Sequence, residues 1–336
     1  MKKYNVAVVG VGAVGIEMLR CLKKRNFPVN RLTVLARSSR DIEVDGQKYH
    51  VEAISPEAFN GVDIALFAGT EGEKGAAVTY AREAVKRGAV VIDNGADFRM
   101  DPKVPLVVPE VNAKEIKKHK GIIANPNCST IQLVVALNPI HKKAGIKRVI
   151  VTTLQAASGA GKAAVDQLKE ELKTIASGDY TGVQAAVANR AMPQQLAYNV
   201  FPQIGGFTDD DYTSEEWKLV KETHKIIGDK KIKITATTVR VPVRTGHSEA
   251  VYIETKKNIS PDAVRKLLAG SPGIVLVDDP ARGLYPMPKD VEGRYETFVG
   301  RIRRDPFVKN GLWLWVVADN LLKGAASNAV QIAESL

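Results

Sequence analysis

Chemistry in this chain starts at Asn125-Pro-Asn127-Cys128-Ser-Thr130. The apolar run Gly121 to Ala124 reads as a short strand, Asn-Pro-Asn breaks it, and Ile131 to Leu137 reads as an apolar helix. Cys128 therefore falls at a strand-to-helix turn. Unpaired N–H groups and the positive end of the helix dipole favour thiolate over thiol there. A small buried cysteine is the commoner use of the residue, and Cys21, on the apolar side of an earlier helix, fits that use. A second site lies at the N-terminus, where strand-like Asn5 to Val9 runs into Gly10-Val-Gly12-Ala-Val-Gly15 and an amphipathic stretch, Ile16 to Leu22. Strand, glycine turn and helix are the context in which GxGxxG signals a dinucleotide, because glycines let the backbone approach a pyrophosphate at a helix start. The second strand, Arg31 to Ala36, ends in Arg37-Ser38-Ser39-Arg40, with no acid to hold a ribose 2′-hydroxyl. Arg37 and Ser38 suit a 2′-phosphate, which points to NADP.

The elements that must position these groups follow in order. Val62 to Ala68 is a strand, Gly75 to Arg87 a helix and Ala89 to Asp93 a strand, so a parallel doubly wound sheet is expected. Gly69-Thr70 and Asn94-Gly95 occupy strand ends, where ligands of such sheets bind. Arg99, just beyond, is placed to hold an anion, and a surface ion pair fits it equally. After a helix over 129–138 the character changes. Strands are expected at 148–154, 232–243, 249–254, 274–277, 296–302 and 311–317, with helices at 162–176, 213–227 and 260–268 and a closing helix to Leu336. Thr213-Ser-Glu215-Glu216-Trp217-Lys218 reads as a capped helix start, although counting from Ser214 places Trp217 where a capping box needs an acid. Short turns between successive strands predict a second, α+β domain with a mixed sheet. The expected division is 1–128 plus 319–336 against 129–318.

Composition sets the class. The chain has 336 residues, is 45% apolar and 25% charged, and carries a net charge of +11, the balance of a globular protein with room for two domains. Two cysteines cannot build a disulfide framework, so a reducing cytoplasm is expected. No apolar run approaches the ~20 residues of a membrane span, and no signal peptide is evident. Lys and Arg are spread along the chain without zinc-ligand spacing or an aromatic–basic repeat, which argues for anionic small molecules over nucleic acid. No His/Cys cluster has metal-ligand spacing, so no metal is expected. His50, His119, His141 and His224 have no functional context. Trp313 and Trp315 alternate on a strand and suit core or an interface between subunits.

Seven segments carry a family likeness in one order: Asp93-Asn-Gly-Ala-Asp-Phe-Arg99, Pro105 to Asn112, Asn125 to Thr130, Gln155-Ala-Ala-Ser-Gly-Ala-Gly161, Glu215-Glu-Trp-Lys218 with Glu222-Thr223, Arg240-Val-Pro-Val-Arg-Thr-Gly-His-Ser248, and Asp319 to Ala325. Together they resemble aspartate-semialdehyde dehydrogenase, end to end. The resemblance implies a Rossmann-type NADP domain, a second catalytic and dimerisation domain, and a homodimer or tetramer. It implies reduction of L-4-aspartyl phosphate by NADPH to L-aspartate 4-semialdehyde and phosphate, feeding lysine, methionine and threonine synthesis.

Position by position, the resemblance makes Cys128 the nucleophile and His247 the acid/base, whose ordinary pKa near neutrality suits proton movement on and off a thiohemiacetal oxygen. It places Gln155 and Arg240 on the substrate, Arg240 at the α-carboxylate, and Glu215 at the amino group. It assigns Arg99 and Lys218 to phosphate, with Asn127 beside them. Val11, Gly12, Ala13, Val14, Arg37, Ser38, Ser158, Gly159 and Asn320 line the NADP site, with Gly10 at its turn. Two departures bear on cofactor fit: the first turn is one residue shorter than the family's Gly-x-Thr-Gly-x-x-Gly and lacks its threonine, and Arg40 stands where a glycine is common. N-acetyl-γ-glutamyl-phosphate reductase-like activity, acyl-CoA reduction and a non-catalytic NADP-binding role are the alternatives.

Overall fold

The computed structural model describes residues 2–69, 72, 75–184 and 190–336, with Gln184 described by its backbone alone. Thr70 lies outside the described residues. The chain forms two compact units, Met1–Asn127 with Gly324–Leu336, and Cys128–Lys323.

The first unit contains β1 (Tyr4–Val9), α1 (Ala13–Lys24), β2 (Val29–Ala36), β3 (Arg40–Val44), β4 (Gln47–Ala53), β5 (Ile64–Phe67), α2 (Ala76–Lys86), β6 (Val90–Asp93), α3 (Pro109–Asn112) and β7 (Ile122–Ala124). The sheet order is β3-β4-β2-β1-β5-β6-β7. Every pair is parallel except β3 with β4. Continuous apolar strands such as Val6 to Val9 and Ile64 to Phe67 are buried on both faces, as helix-covered parallel strands are. The doubly wound sheet expected from the sequence is thus present, with an added antiparallel hairpin at its edge. Sequence analysis assigns no strand to residues 41–61, yet Asp45-Gly46 is the signal for that hairpin. Both residues have positive φ (50° and 77°), as a two-residue I′ turn requires.

The second unit contains α4 (Cys128–Ala144), β8 (Ile146–Gln155), α5 (Lys162–Ala176), α6 (Ser214–Ile227), β9 (Lys233–Arg240), β10 (His247–Thr255), α7 (Pro261–Ala269), β11 (Ile274–Leu276), α8 (Pro288–Val291), β12 (Thr297–Arg304) and β13 (Gly311–Ala318). Its sheet runs β11-β12-β13-β10-β8-β9 and is mixed, with β8–β9 and β11–β12 parallel. α4 lies across β8, β10, β12 and β13, and α6 packs on α4 and β9. Leu133, Leu137, Val151, Val251, Leu314 and Val316 build the core between them. By strand alternation Trp313 and Trp315 face the other way. Trp313 stacks obliquely on Tyr252 at 5.2 Å, and Trp315 donates to the Pro286 carbonyl at 3.0 Å. The chain returns to the first unit with α9 (Ser327–Glu334), which packs on α1.

Two helix ends differ from the sequence expectation. α4 continues through Pro139 to Ala144, because the helix is buried nearly all round and tertiary packing outweighs one missing N–H. It stops at Gly145, in the left-handed region (φ 67°), whose N–H bonds the His141 carbonyl. The N-cap of α6 is Thr213, one residue earlier than Ser214, and this gives a full capping box with Glu216. Glu216 N–H donates to Thr213 Oγ1 at 3.3 Å, and Thr213 N–H donates to Glu216 Oε2 at 2.7 Å. Glu216 Oε1 also accepts from the Thr238 N–H of β9 at 3.0 Å, so the cap ties the helix to the sheet. Thr213→Ala is expected to lower stability by about 1 kcal/mol, read as a fall in the chemical-denaturation midpoint with an unchanged slope.

Candidate active site

In the first unit the glycine turn opens a pocket of about 960 Å³, lined by Gly10, Val11, Gly12, Arg37, Ser38 and Arg40 among others. Gly10 has φ 99°, and a Cβ there would stand 2.9 Å from the Ala68 carbonyl group. A Cβ on Gly15 would overlap the Gly10 carbonyl oxygen, so this glycine sets the close approach of α1 to β1. Ala13 and Val14 open α1, and its N-cap, Gly12, provides no side-chain cap. The helix start thus presents backbone N–H groups to an anion. At the far side of the pocket Arg40 Nη1 lies 3.3 Å from the Ser38 carbonyl and 3.4 Å from its hydroxyl. A cradle that side chains would fill, an uncapped helix start and two arginines fit a phosphorylated dinucleotide. Arg99 and Asn127 also belong to this unit. Arg99 is buried and donates from Nε to the Asn125 carbonyl at 2.9 Å and from Nη2 to the Asn94 carbonyl at 2.7 Å.

In the second unit the sheet register sets the site. Gln155 pairs with Arg240 across β8 and β9, and Ser248 pairs with Leu154 across β10 and β8, so His247 follows beside Gln155. Arg240, Gln155 and His247 therefore form one row at the end of the sheet. Cys128 is the first residue of α4, which packs over that sheet, and its charge acts on Arg240. Burial lowers the Arg240 pKa, against the pull of Cys128 and Glu215. Glu215, in the first turn of α6, accepts from Gln155 Nε2 at 3.3 Å and lies 3.4 Å from Lys218 Nζ. The structure thus brings Cys128, Gln155, Glu215, Lys218 and Arg240 into one electrostatic neighbourhood, and His247 joins it through Arg240.

The backbone of one residue, Ala156, orients the two central side chains. Ala156 N–H donates to His247 Nδ1 at 3.0 Å, and the Ala156 carbonyl accepts from Arg240 Nη1 at 2.6 Å. An accepting Nδ1 puts the proton of the neutral ring on Nε2. Nε2 is buried without a partner among the described residues, and so is Arg240 Nε. Gly159 leaves their space open: a Cβ there would lie 3.0 Å from His247 Cε1 and 3.4 Å from Arg240 Nη1. Ser158 and Asn320 bond each other at 2.9 Å, and Asn320 Oδ1 accepts from Gly246 N–H at 2.9 Å. This pair holds the turn that leads into His247.

The expectation of an ordinary imidazole pKa does not hold. Complete burial, and then the positive charge of Arg240, push His247 well below its usual value. Sequence analysis does not single out the Ala156 backbone, nor the buried polar neighbours Gln132 and Glu249. Gln132 is one helical turn beyond Cys128, and Glu249 is two strand residues beyond His247. Periods of 3.6 and 2 place each on the face of its reactive neighbour, and that signal was available.

The model for the semialdehyde dehydrogenase NAD binding domain matches residues 5–119, and that for the semialdehyde dehydrogenase dimerisation domain matches 137–323. The chain is 50% identical to aspartate-semialdehyde dehydrogenase of Aquifex aeolicus, over 99% of this chain and 98% of that one. Its structure resembles aspartate semialdehyde dehydrogenase II of Vibrio cholerae complexed with ASA, with a TM-score of 0.93 and 43% identity over 100% of this chain and 98% of that one. It also resembles the Candida albicans enzyme with NADP, with a TM-score of 0.73 and 25% identity over 100% and 98%.

The His247 ring is expected to stay neutral, with its proton on Nε2, as the pH falls through about 6.5. Long-range ¹H–¹⁵N spectra of the ring nitrogens check this, and a titration centred near 6.5 would contradict it.

Proposed function

This chain belongs to the aspartate-semialdehyde dehydrogenase family, and we propose that Cys128 is the nucleophile on which its covalent chemistry runs, with His247, Arg240, Gln155 and Glu215 arranged around it. The reaction is the NADPH-dependent reductive dephosphorylation of L-4-aspartyl phosphate to L-aspartate 4-semialdehyde and phosphate, in lysine, methionine and threonine biosynthesis. The chief support for the residue roles is the pair of buried donors left unspent, Arg240 Nε and His247 Nε2, in the neighbourhood of a helix-start cysteine.

The Cys128 thiolate attacks the acyl carbon of the aspartyl phosphate. The carbon–oxygen bond to phosphate breaks, and a thioester remains on the sulfur. NADPH, when bound, supplies the hydride that reduces this thioester. Charge then gathers on the former carbonyl oxygen, where His247 Nε2–H and backbone N–H groups at the start of α4 donate to it. The carbon–sulfur bond breaks, releasing the aldehyde and restoring the thiolate, and the proton taken up overall leaves on phosphate. His247 thereby acts as a neutral donor, since a second proton on Nδ1 would oppose the Ala156 N–H.

Arg240 holds the substrate α-carboxylate, for which its planar fork is better suited than a lysine. Glu215 takes the amino group, with Gln155 bridging to it. Lys218 in the second unit, and Arg99 and Asn127 in the first, are assigned to phosphate by resemblance. Gly10 to Val14, Arg37 and Ser38 hold NADP in the first unit, and Ser158, Gly159 and Asn320 are assigned to the cofactor by resemblance. The protein takes a small-molecule substrate and associates with itself. We propose a homodimer or tetramer joined through the second unit, working in the cytoplasm.

Cys128→Ala is expected to cut turnover by at least about ten-thousandfold while NADPH binding persists. Cys128→Ser should stay far below wild type, because an alkoxide is hard to populate at neutral pH. NADPH formation from the semialdehyde and phosphate measures both, and full activity in the alanine variant would overturn the mechanism. Arg37→Ala is expected to raise KM for NADP about tenfold or more, the loss of one charge-assisted bond, with a much smaller effect on NAD.

A further inference from the structure

Behind the reactive row lies a second polar row that the reaction does not use. Two residues inward from Arg240, Gln155 and His247 stand Thr238, Thr153 and Glu249, paired across the same strands. One step further in, Ala236, Val151 and Val251 begin the apolar core. Glu249 is fully buried, and neither carboxyl oxygen has a hydrogen-bond partner among the described residues. The groups facing it are Gln132 from α4, Thr153 from β8 and His247 along its own strand, and none is a cation. Gln132 Nε2 donates to the His247 carbonyl at 3.3 Å, which leaves Gln132 Oε1 as a further buried acceptor without a donor. Glu249 Oε1, Glu249 Oε2 and Gln132 Oε1 thus stand in one dry place with no hydrogen bond made to any of them, which is unstable as drawn.

A single proton resolves them. We propose that Glu249 is a neutral carboxylic acid whose O–H donates to Gln132 Oε1, so that Gln132 is held with its amide on the His247 carbonyl and the start of β10 is locked against α4. Glu249 is thus a positioning residue: it fixes where the imidazole of β10 stands relative to the cysteine one helical turn before Gln132. Burial favours the same form, raising the Glu249 pKa well above the usual carboxylate value and outweighing the opposing pull of the Gln132 amide. The inference rests on the assignment of Cys128 and His247 as the reactive pair, and the protonation state can be read without that assignment.

The test has a spectroscopic arm and a kinetic arm, both on the full chain. Infrared difference spectra of wild type against Glu249→Gln at neutral pH should contain one carboxylic-acid C=O band, absent from the variant and shifted in D₂O. A carboxylate pair lost in its place overturns the proposal. Glu249→Gln still offers an N–H to Gln132, so kcat should stay within about threefold of wild type. Glu249→Leu should lose about tenfold to a hundredfold in kcat, with KM for the semialdehyde within about twofold. Gln132→Met should match it, and the double variant should be no worse than the poorer single. Equal damage from Gln and Leu at position 249, or additive losses in the double variant, overturns the positioning role. If Cys128→Ala remained active, the reaction assignment would fail while the infrared result still decided the state of Glu249.

Discussion

The Ala156 backbone, with one N–H and one carbonyl, is the constraint on which the second unit's site depends. Its N–H fixes the tautomer and plane of His247, and its carbonyl holds one arm of Arg240. A side chain in that role would need its own support, whereas backbone just past the end of β8 is held by the sheet. Ala157 and Ser158 continue the hold, donating to the carbonyls of Val243 and Arg244 in the turn that carries His247. The site is therefore built on the ends of paired strands, and its geometry is as stiff as their register. Slipping β10 against β8 by one residue would turn His247 to the opposite face.

Helices close the arrangement from above. α4 brings Cys128 on its first turn, and α6 brings Glu215 on its first turn. In both cases a helix start carries the functional group, and the dipole suits it: thiolate in one, carboxylate in the other. Both groups act on Arg240, and Glu215 also lies 3.4 Å from Lys218 Nζ. The roles proposed for them give Arg240 a substrate carboxylate and Glu215 a substrate ammonium in place of these contacts.

Much of this was legible in the sequence because it depends on local periodicity and turn chemistry. The GxGxxG turn, the helix start at Cys128 and the strand ending at Gln155 follow from runs of apolar residues and the glycines that end them. The edge hairpin at Asp45-Gly46 is equally local, its signal being the turn pair itself. The cap of α6 was misread by one residue because Thr213 and Ser214 are both good N-caps, and the choice is made by the Glu216 bond to Thr238 of β9. The His247 ionisation was not legible at all. Its pKa is set by burial and by Arg240, seven residues earlier in the chain but adjacent only through the order β9-β8-β10.

A buried imidazole held neutral and a buried carboxyl held neutral load the fold in opposite directions. For His247 the folded pKa is depressed, so above about 6.5 folded and unfolded chains agree. Below that value the unfolded chain gains a proton that the folded one refuses, and stability falls as the pH drops. For Glu249 the folded pKa is raised, so the two states agree only below about 4.3, and stability falls as the pH rises from there toward the folded pKa. No pH relieves both groups at once: wherever the imidazole is at ease the acid is not. Two residues apart on one strand, they make the reactive end of β10 a standing cost that the apolar rows beneath it, from Val151 and Val251 inward, must offset.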